Sequence, residues 1–431
     1  MEFGRLQLTG WRQFSLVDIK FHPNLTIITG ANGAGKSTLL NILGQNIGAS
    51  RPYLATPGRV RGSRKFLSGI FSFPTRIAKW FQPSEDENWA DIGFLHYQEG
   101  GKCALRVPTQ GQQQYGLTIV GQQAVIGFHM PSHRAMTNYR QIPNVAFGGI
   151  NPKTAFGTLI GELYSVFHGN RSELSVLYHL KVLIANWAVF GEGNSAVGRD
   201  DEQREAYKGF IDVLSQLLPL DLGFVGLKVN APDIVVQTKT GEFLIDSLSG
   251  GLTAIMEMAA LIYTRSLMDD VPDGRFVVTM DEPENHLHPA MQRTILSSLV
   301  KVFPRVQFIV ATHSPFIVSS SRNSFVYALK YEDIDVVEES SENSPRGSRR
   351  VNCIFLEKGQ LSTSPNEILR EVLGVPVTFP AWIEESLEEI IARYRIAPFN
   401  DQTIADLQKD VEEAGLSHLF PEAALQLGRT N

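Results

Sequence analysis

Cysteine is nearly absent from this chain: Cys103 and Cys353 are the only two among 431 residues. They lie far apart and outside any CxxC pattern, which argues against a disulfide framework and a cysteine zinc site and for a reducing compartment. No run approaches the ~18 uncharged apolar residues of a membrane-spanning helix, so no membrane span is expected. The first residues, Met1-Glu2-Phe3-Gly4-Arg5, lack the basic-then-apolar order of a secretory leader. A cytoplasmic protein is the expectation. A charge excess of one sign is missing too. The net charge of −6 gives no global footprint for nucleic acid. Two local basic clusters remain, Arg59-Arg61-Arg64-Lys65 and Arg346-Arg349-Arg350; each reads as a basic face or, more simply, as a solvated loop. Sustained heptads and internal repeats are also absent, which excludes a long coiled coil.

What is present is the composition of a globular chain, 43% apolar and 19% charged. The first 21 residues alternate as a hairpin does. Leu25-Thr26-Ile27-Ile28-Thr29 is a short β-branched run, hence a buried strand, and it enters a Gly-rich loop followed by a helix start. Residues 45–130 read as antiparallel strands with loops. Residues 154–190 and 201–218 carry helical spacing, and strand-helix-strand returns at 275–312. The last 70 or so residues read as short helices. The expected fold class is α/β. It has a mixed sheet, an antiparallel β subdomain, an inserted helical lobe at about 134–270 and a helical tail. The expected domains are 1–330 and a C-terminal strand-and-helix extension, 331–431.

Three motifs carry chemistry. Gly30-Ala31-Asn32-Gly33-Ala34-Gly35-Lys36-Ser37, followed by Thr38, matches G-x-x-x-x-G-K-[ST]. Its glycines let successive backbone N–H groups wrap phosphates, and the helix start adds its positive end. Lys36 is expected to reach the β- and γ-phosphates of ATP, and Ser37 to ligate Mg²⁺. Phe276-Val277-Val278-Thr279-Met280 is an apolar strand ending in Asp281-Glu282. Asp281 is expected to hold Mg²⁺ through a water, and Glu282 to orient or deprotonate the attacking water. Ser249-Gly250-Gly251 opens an apolar helix, with Ser249 as N-cap. It forms a second anion-type helix terminus or, alternatively, a plain capping turn. His286 and His288 with Glu284 could make a metal site, and Met256 and Met258 read as core filler.

Here the residues resemble a known family. Leu248-Ser249-Gly250-Gly251 looks like an ABC signature, and His313 in Ala311-Thr312-His313-Ser314-Pro315 looks like a switch histidine. The order of P-loop, signature, Asp-Glu pair and histidine is that of ABC ATPases. The run Asp281-Glu282-Pro283-Glu284-Asn285-His286-Leu287-His288-Pro289 is similar to soluble ATPases related to the OLD nucleases. That group includes the Septu and retron-associated anti-phage ATPases and, more distantly, RecF and SMC heads. The resemblance implies that the α/β fold is a P-loop NTPase of ABC-ATPase type, and that it forms a homodimer, or a higher assembly of dimers, closed around ATP. Ser249 and Gly251 would meet the γ-phosphate of the other subunit, and His313 that of its own. Asn285 and His286 would fall in the loop that crosses the dimer interface, and Arg12 would contact phosphate. Gln98 is a candidate for the Q-loop glutamine. No complete nuclease set is found; Asp333, Asp335, Glu338 and Glu339 come in the wrong order for a TOPRIM site. The leading reading is therefore a nucleotide-driven clamp or switch in anti-phage defence, with a nuclease or toxin on another chain. The alternatives are a RecF/SMC-like ATPase that binds DNA directly and a transporter's ATP-binding subunit.

Overall fold

The computed structural model describes residues 1–60, 63–67, 88–109, 113–132, 138–146, 149–170, 174–332, 350–357, 359, 364–373, 381–395, 400–421, 423, 424 and 427. Its strands are β1 (Phe3–Trp11), β2 (Phe14–Lys20), β3 (Leu25–Gly30), β4 (Tyr53–Leu54), β5 (Thr56–Val60), β6 (Ser63–Leu67), β7 (Trp89–Tyr97), β8 (Lys102–Pro108), β9 (Gln114–Tyr115), β10 (Thr118–Val120), β11 (Gly127–Met130), β12 (Phe224–Asn230), β13 (Asp233–Thr238), β14 (Gly241–Leu244), β15 (Phe276–Asp281), β16 (Val306–Ala311), β17 (Phe325–Glu332) and β18 (Arg350–Phe355). The principal helices of the head are α1 (Lys36–Gly44), α2 (Pro152–Phe167), α3 (Val176–Glu192), α4 (Asp201–Leu217), α5 (Gly250–Ser266), α6 (Pro289–Gln292), α7 (Ile295–Val302) and α8 (Pro315–Val318).

One mixed sheet of eleven strands organises the head, in the order β10-β8-β7-β1-β2-β18-β17-β3-β16-β15-β11. From β17 to β11 every pairing is parallel. On the other side β2, β1, β7, β8 and β10 pair antiparallel. The sequence texture follows this division. β3 and β16 are buried at every position, as parallel strands covered on both faces must be. The two faces feed different cores. Leu25 and Ile27 of β3, Phe308 and Val310 of β16, and Phe276, Val278 and Met280 of β15 pack with α2–α5 and α7. Ile28, Ile309, Ala311 and Val277 point the other way, onto Leu39, Leu40, Ile42 and Leu43 of α1 and the antiparallel strands. The expected fold class is the observed one: a P-loop fold with a mixed sheet, an antiparallel subdomain and a helical lobe.

Met256 and Met258 are fully buried on α5. The lobe is less purely helical than its spacing suggested, because β12, β13 and β14 form a separate antiparallel sheet within it. Those strands are short and joined by tight turns at 231–232 and 239–240, so the helical periodicity around them masks their alternation.

The chain divides into two compact units, Met1–Ile368 with Val372–Gly374, and Leu369–Glu371 with Val375–Asn431. β18 hydrogen-bonds between β17 and β2, so the head sheet draws in residues well past 330. The second unit has its own core. Leu387, Ile390 and Ile391 of the helix Ala381–Tyr394 pack with Leu407 and Val411 of the helix Asp401–Glu413, and with Leu416 and Leu419. These apolar positions thus cover one another, while Trp382 stays 63% exposed. Of the basic clusters, Arg61, Arg346 and Arg349 lie outside the described residues, as do Asp333, Asp335, Glu338 and Glu339. Among the described residues, no helix is long and apolar enough to cross a membrane.

Candidate nucleotide site

β3 ends at Gly30, and the chain turns through Ala31-Asn32-Gly33-Ala34-Gly35 before α1 begins at Lys36. φ is 141° at Gly30 and 102° at Gly35, in the region that glycine enters without strain. Space is short there as well. A Cβ at Gly30 would meet the Leu329 carbonyl at 2.4 Å, and one at Gly35 would meet the Gln13 amide at 2.3 Å and the Phe14 ring at 2.4 Å. The buried Lys36 folds back over the loop, its Nζ donating to the carbonyls of Gly30 at 2.8 Å and Ala31 at 3.1 Å. Burial pulls its ammonium below the usual range, against the opposing pull of Glu282, Asp281 and Glu284. Ser37 and Thr38 follow in the first turn of α1.

The register brings three chain segments to one sheet edge. Asp281 pairs with Ala311, and Ala311 with Ile28, so the ends of β15, β16 and β3 emerge together, where open α/β sheets place ligands. Ser37 stands beside Asp281, close enough to act on its carboxyl. Burial raises that carboxyl, and the adjacent Glu282 adds to the rise; Ser37, Lys36 and His313 oppose it. Asp281 Oδ1 is buried with no hydrogen-bond partner among the described residues. A buried, unpaired carboxylate oxygen beside a serine and a glycine-lined loop fits a cation-bound polyphosphate.

Glu282 turns the chain out of β15 with φ 50°, left-handed for a residue with a side chain. Its amide donates to the Ala311 carbonyl at 2.8 Å, which holds the turn. Glu282 Oε1 is hydrogen-bonded to His313 Nε2, and Oε2 accepts from Asn285 Nδ2 at 3.2 Å. Burial pushes the Glu282 carboxyl up. The His313 and Asn285 hydrogen bonds, with the charges of His313 and Lys36, outweigh it and leave the group below its ordinary value.

The segment resembling a signature lies elsewhere on the head. Ser249 caps α5, its Oγ accepting from the Leu252 amide at 3.5 Å. Ser249 and Gly250 are exposed, whereas Gly251 is buried under the turn after β15. A Cβ at Gly251 would meet the His286 carbonyl at 2.8 Å. The approach to this loop is braced from inside the lobe by Lys181, fully buried on α3, which bonds Asp246 and the Arg140 carbonyl, each at 2.6 Å. Among the described contacts, none joins Ser249, Gly250 or Gly251 to residues 30–38.

The remaining candidates fall in varied places. The Arg12 guanidinium lies over the Trp11 and Tyr53 rings and donates to the Leu54 carbonyl at 3.3 Å. Its neighbour Gln13 is the residue that reaches the phosphate loop, at Gly33 O, 3.4 Å. Gln98 sits at the opposite end of β1 from that loop, its amide bonded to the Glu2 carbonyl. Nine residues of β1 separate the two ends, roughly 30 Å at strand rise, so Gln98 is no Q-loop residue. His288 caps α6 through Ala290 N, and His286 packs beside Gly250. No group of three or more metal-type side chains forms among the described residues. Sequence reasoning missed Gln13, Lys181 and the role of Tyr331, whose hydroxyl reaches the Asn32 carbonyl at 3.4 Å.

Comparison with known proteins gives the relatives of the chain. Residues 160–319 match the family model described as "AAA domain, putative AbiEii toxin, Type IV TA system", and residues 5–91 match one described as "AAA domain". A Septu protein PtuA of Bacillus thuringiensis is 28% identical over 398 residues, 89% of this chain and 87% of that protein. The "Retron Vc95 probable ATPase" of Vibrio cholerae is 24% identical over 36% of this chain and 31% of its own length. The "Retron Ec83 probable ATPase" of Escherichia coli is 34% identical over 28% of this chain and 23% of its own length. Among solved structures, the SMC head domain from Thermotoga maritima aligns with TM-score 0.41 at 13% identity, covering 83% of this chain and all of that one. The family matches and the sheet topology together give a P-loop ATPase fold, and Septu PtuA proteins and retron ATPases are sequence relatives of the chain.

Proposed function

We propose that this chain hydrolyses ATP at a site completed by a second copy of itself, and that nucleotide state controls a partner effector chain in anti-phage defence. The observation that carries the reading is the meeting of Lys36, Ser37, Asp281, Glu282 and His313 at one sheet edge. In this reading Gly30, Ala31, Asn32, Gly33, Ala34 and Gly35 present backbone N–H groups to the phosphates. Lys36 exchanges its carbonyl partners for phosphate oxygens, a charge-assisted contact. Ser37 and Asp281 would hold Mg²⁺, which supplies charge neutralisation at the phosphates. Glu282, kept ionised by His313 and Asn285, accepts a proton from water or orients it.

The exposure of Ser249 and Gly250, together with their separation from the phosphate loop of the same chain, supports action in trans on a second copy. Partial resemblance to retron ATPases, and resemblance to a Septu protein over 89% of this chain, support the defence role. The effector would be a nuclease or toxin.

The test is Glu282→Gln. It should keep ATP binding while turnover falls by about 10²–10⁴-fold. Unchanged hydrolysis would overturn the assignment. Affinity capture from native cells, with wild type, Glu282→Gln and a chain lacking 375–431, tests the effector: a partner retained only in one nucleotide state is expected.

A further inference from the structure

The turn after β15 holds a carboxylate that the proposed chemistry does not use. Glu284 Oε1 accepts three hydrogen bonds from one tripeptide: Thr312 Oγ1 at 2.6 Å, His313 N at 3.0 Å and Ser314 N at 3.2 Å. Thr312 is fully buried, and Ser314 is anchored again by its hydroxyl, which donates to Gln292 Oε1 at 2.6 Å. The main chain on both sides of His313 is therefore fixed by side chains of residues 284–292. The His313 ring makes one hydrogen bond among the described residues, to Glu282; its Nδ1 has none. With a single ring contact, imidazole orientation depends on where the backbone stands.

We propose that Glu284 is a positioning residue that sets His313 on Glu282 by gathering the donors of Thr312, His313 and Ser314 onto one oxygen. The inference rests on the ATPase reading for its kinetic consequence, not for its structural one. Glu284 lies two residues beyond Glu282 in sequence, so one turn carries both the residue His313 bonds and the residue that places His313. Any shift of that turn moves both together.

The test uses the full-length protein with Glu284→Ala and Glu284→Gln. Glutamine retains an oxygen for the three donors; alanine does not. The first readout needs no ATP: the rate at which diethyl pyrocarbonate modifies His313, followed by mass spectrometry. It should rise severalfold in Glu284→Ala and stay near wild type in Glu284→Gln. The second is steady-state kinetics. Glu284→Ala should lose about 10²-fold in kcat, as a misplaced catalytic group does, with KM for ATP within about twofold; Glu284→Gln should recover most of it. A His313→Ala, Glu284→Ala double variant should be no slower than His313→Ala alone. Unchanged His313 reactivity in a folded Glu284→Ala protein overturns the proposal. So does a glutamine variant as impaired as alanine in both readouts. A wild-type protein that shows no ATP turnover sinks the ATPase reading instead and leaves the reactivity result to decide the positioning role.

Discussion

Two loops of this head open helices with glycine, and they are built in opposite ways. The loop at Gly30–Ser37 follows a strand buried at every position, and its lysine folds inward onto its own carbonyls. The loop at Ser249–Gly251 caps a helix whose N-terminal end is exposed, and its buried glycine packs on the turn at His286. The first has its partners within reach in the same chain: Asp281 through Ser37, and the strand end that carries His313. The second has structural support, through Asp246 and the buried Lys181, but no described contact with that site. A loop braced from behind and bare in front is suited to act on another molecule.

Three substitutions would sharpen or break this contrast. Ser249→Arg should have the largest effect on turnover, a fall of about 10²–10³-fold if it removes donors aimed at developing charge, with ATP affinity of the separate chain unchanged. Lost affinity instead would place the two loops in one site. Lys36→Ala should cost about 10²-fold in ATP affinity, the worth of a charged hydrogen bond of ~3 kcal/mol; retained affinity would remove the phosphate-loop reading. Equal mixing of the two inactive variants, with subunit exchange verified, should return about a quarter of wild-type turnover. Half the dimers are then mixed, each with one intact site. No recovery would rule out action in trans. The smallest effect belongs to Arg12→Ala. Its guanidinium is held on aromatic rings and Leu54 O, so ATP turnover should change by less than about fivefold, the scale of an exposed cation–π contact. A larger loss would mean that Arg12 turns toward the phosphates when nucleotide binds.

The same contrast explains what the sequence made legible. The phosphate loop could be read because its parts are consecutive: strand, glycines, lysine, helix. Asp281-Glu282 could be read because an apolar strand ends abruptly in two charges. Residues whose meaning lies in a distant partner were harder. Gln98 looked suitable until β1 put it at the far end of its strand. Gln13 gave no signal, since only the hairpin brings it to Gly33. Lys181 did leave a trace: a lone charge among Leu177, Leu180 and Ile184 on an apolar helix face implies a buried counter-ion. The tail read as short helices, and those helices carry apolar faces. They cover them on each other, an arrangement that spacing within a single helix cannot reveal.

The position of β3 has a consequence for how the molecule is made. β3 ends at Gly30, yet both of its sheet neighbours, β16 and β17, come from beyond residue 305. Gln307 also holds both main-chain polar groups of Phe3, at 3.0 and 2.9 Å. At ribosomal rates of about 5–20 residues per second, the nascent strand waits roughly 15–60 s for its neighbours. Through that interval its apolar edges are open to other chains. The segment that gives this protein its phosphate loop is thus also one whose two edges both stay open through most of synthesis.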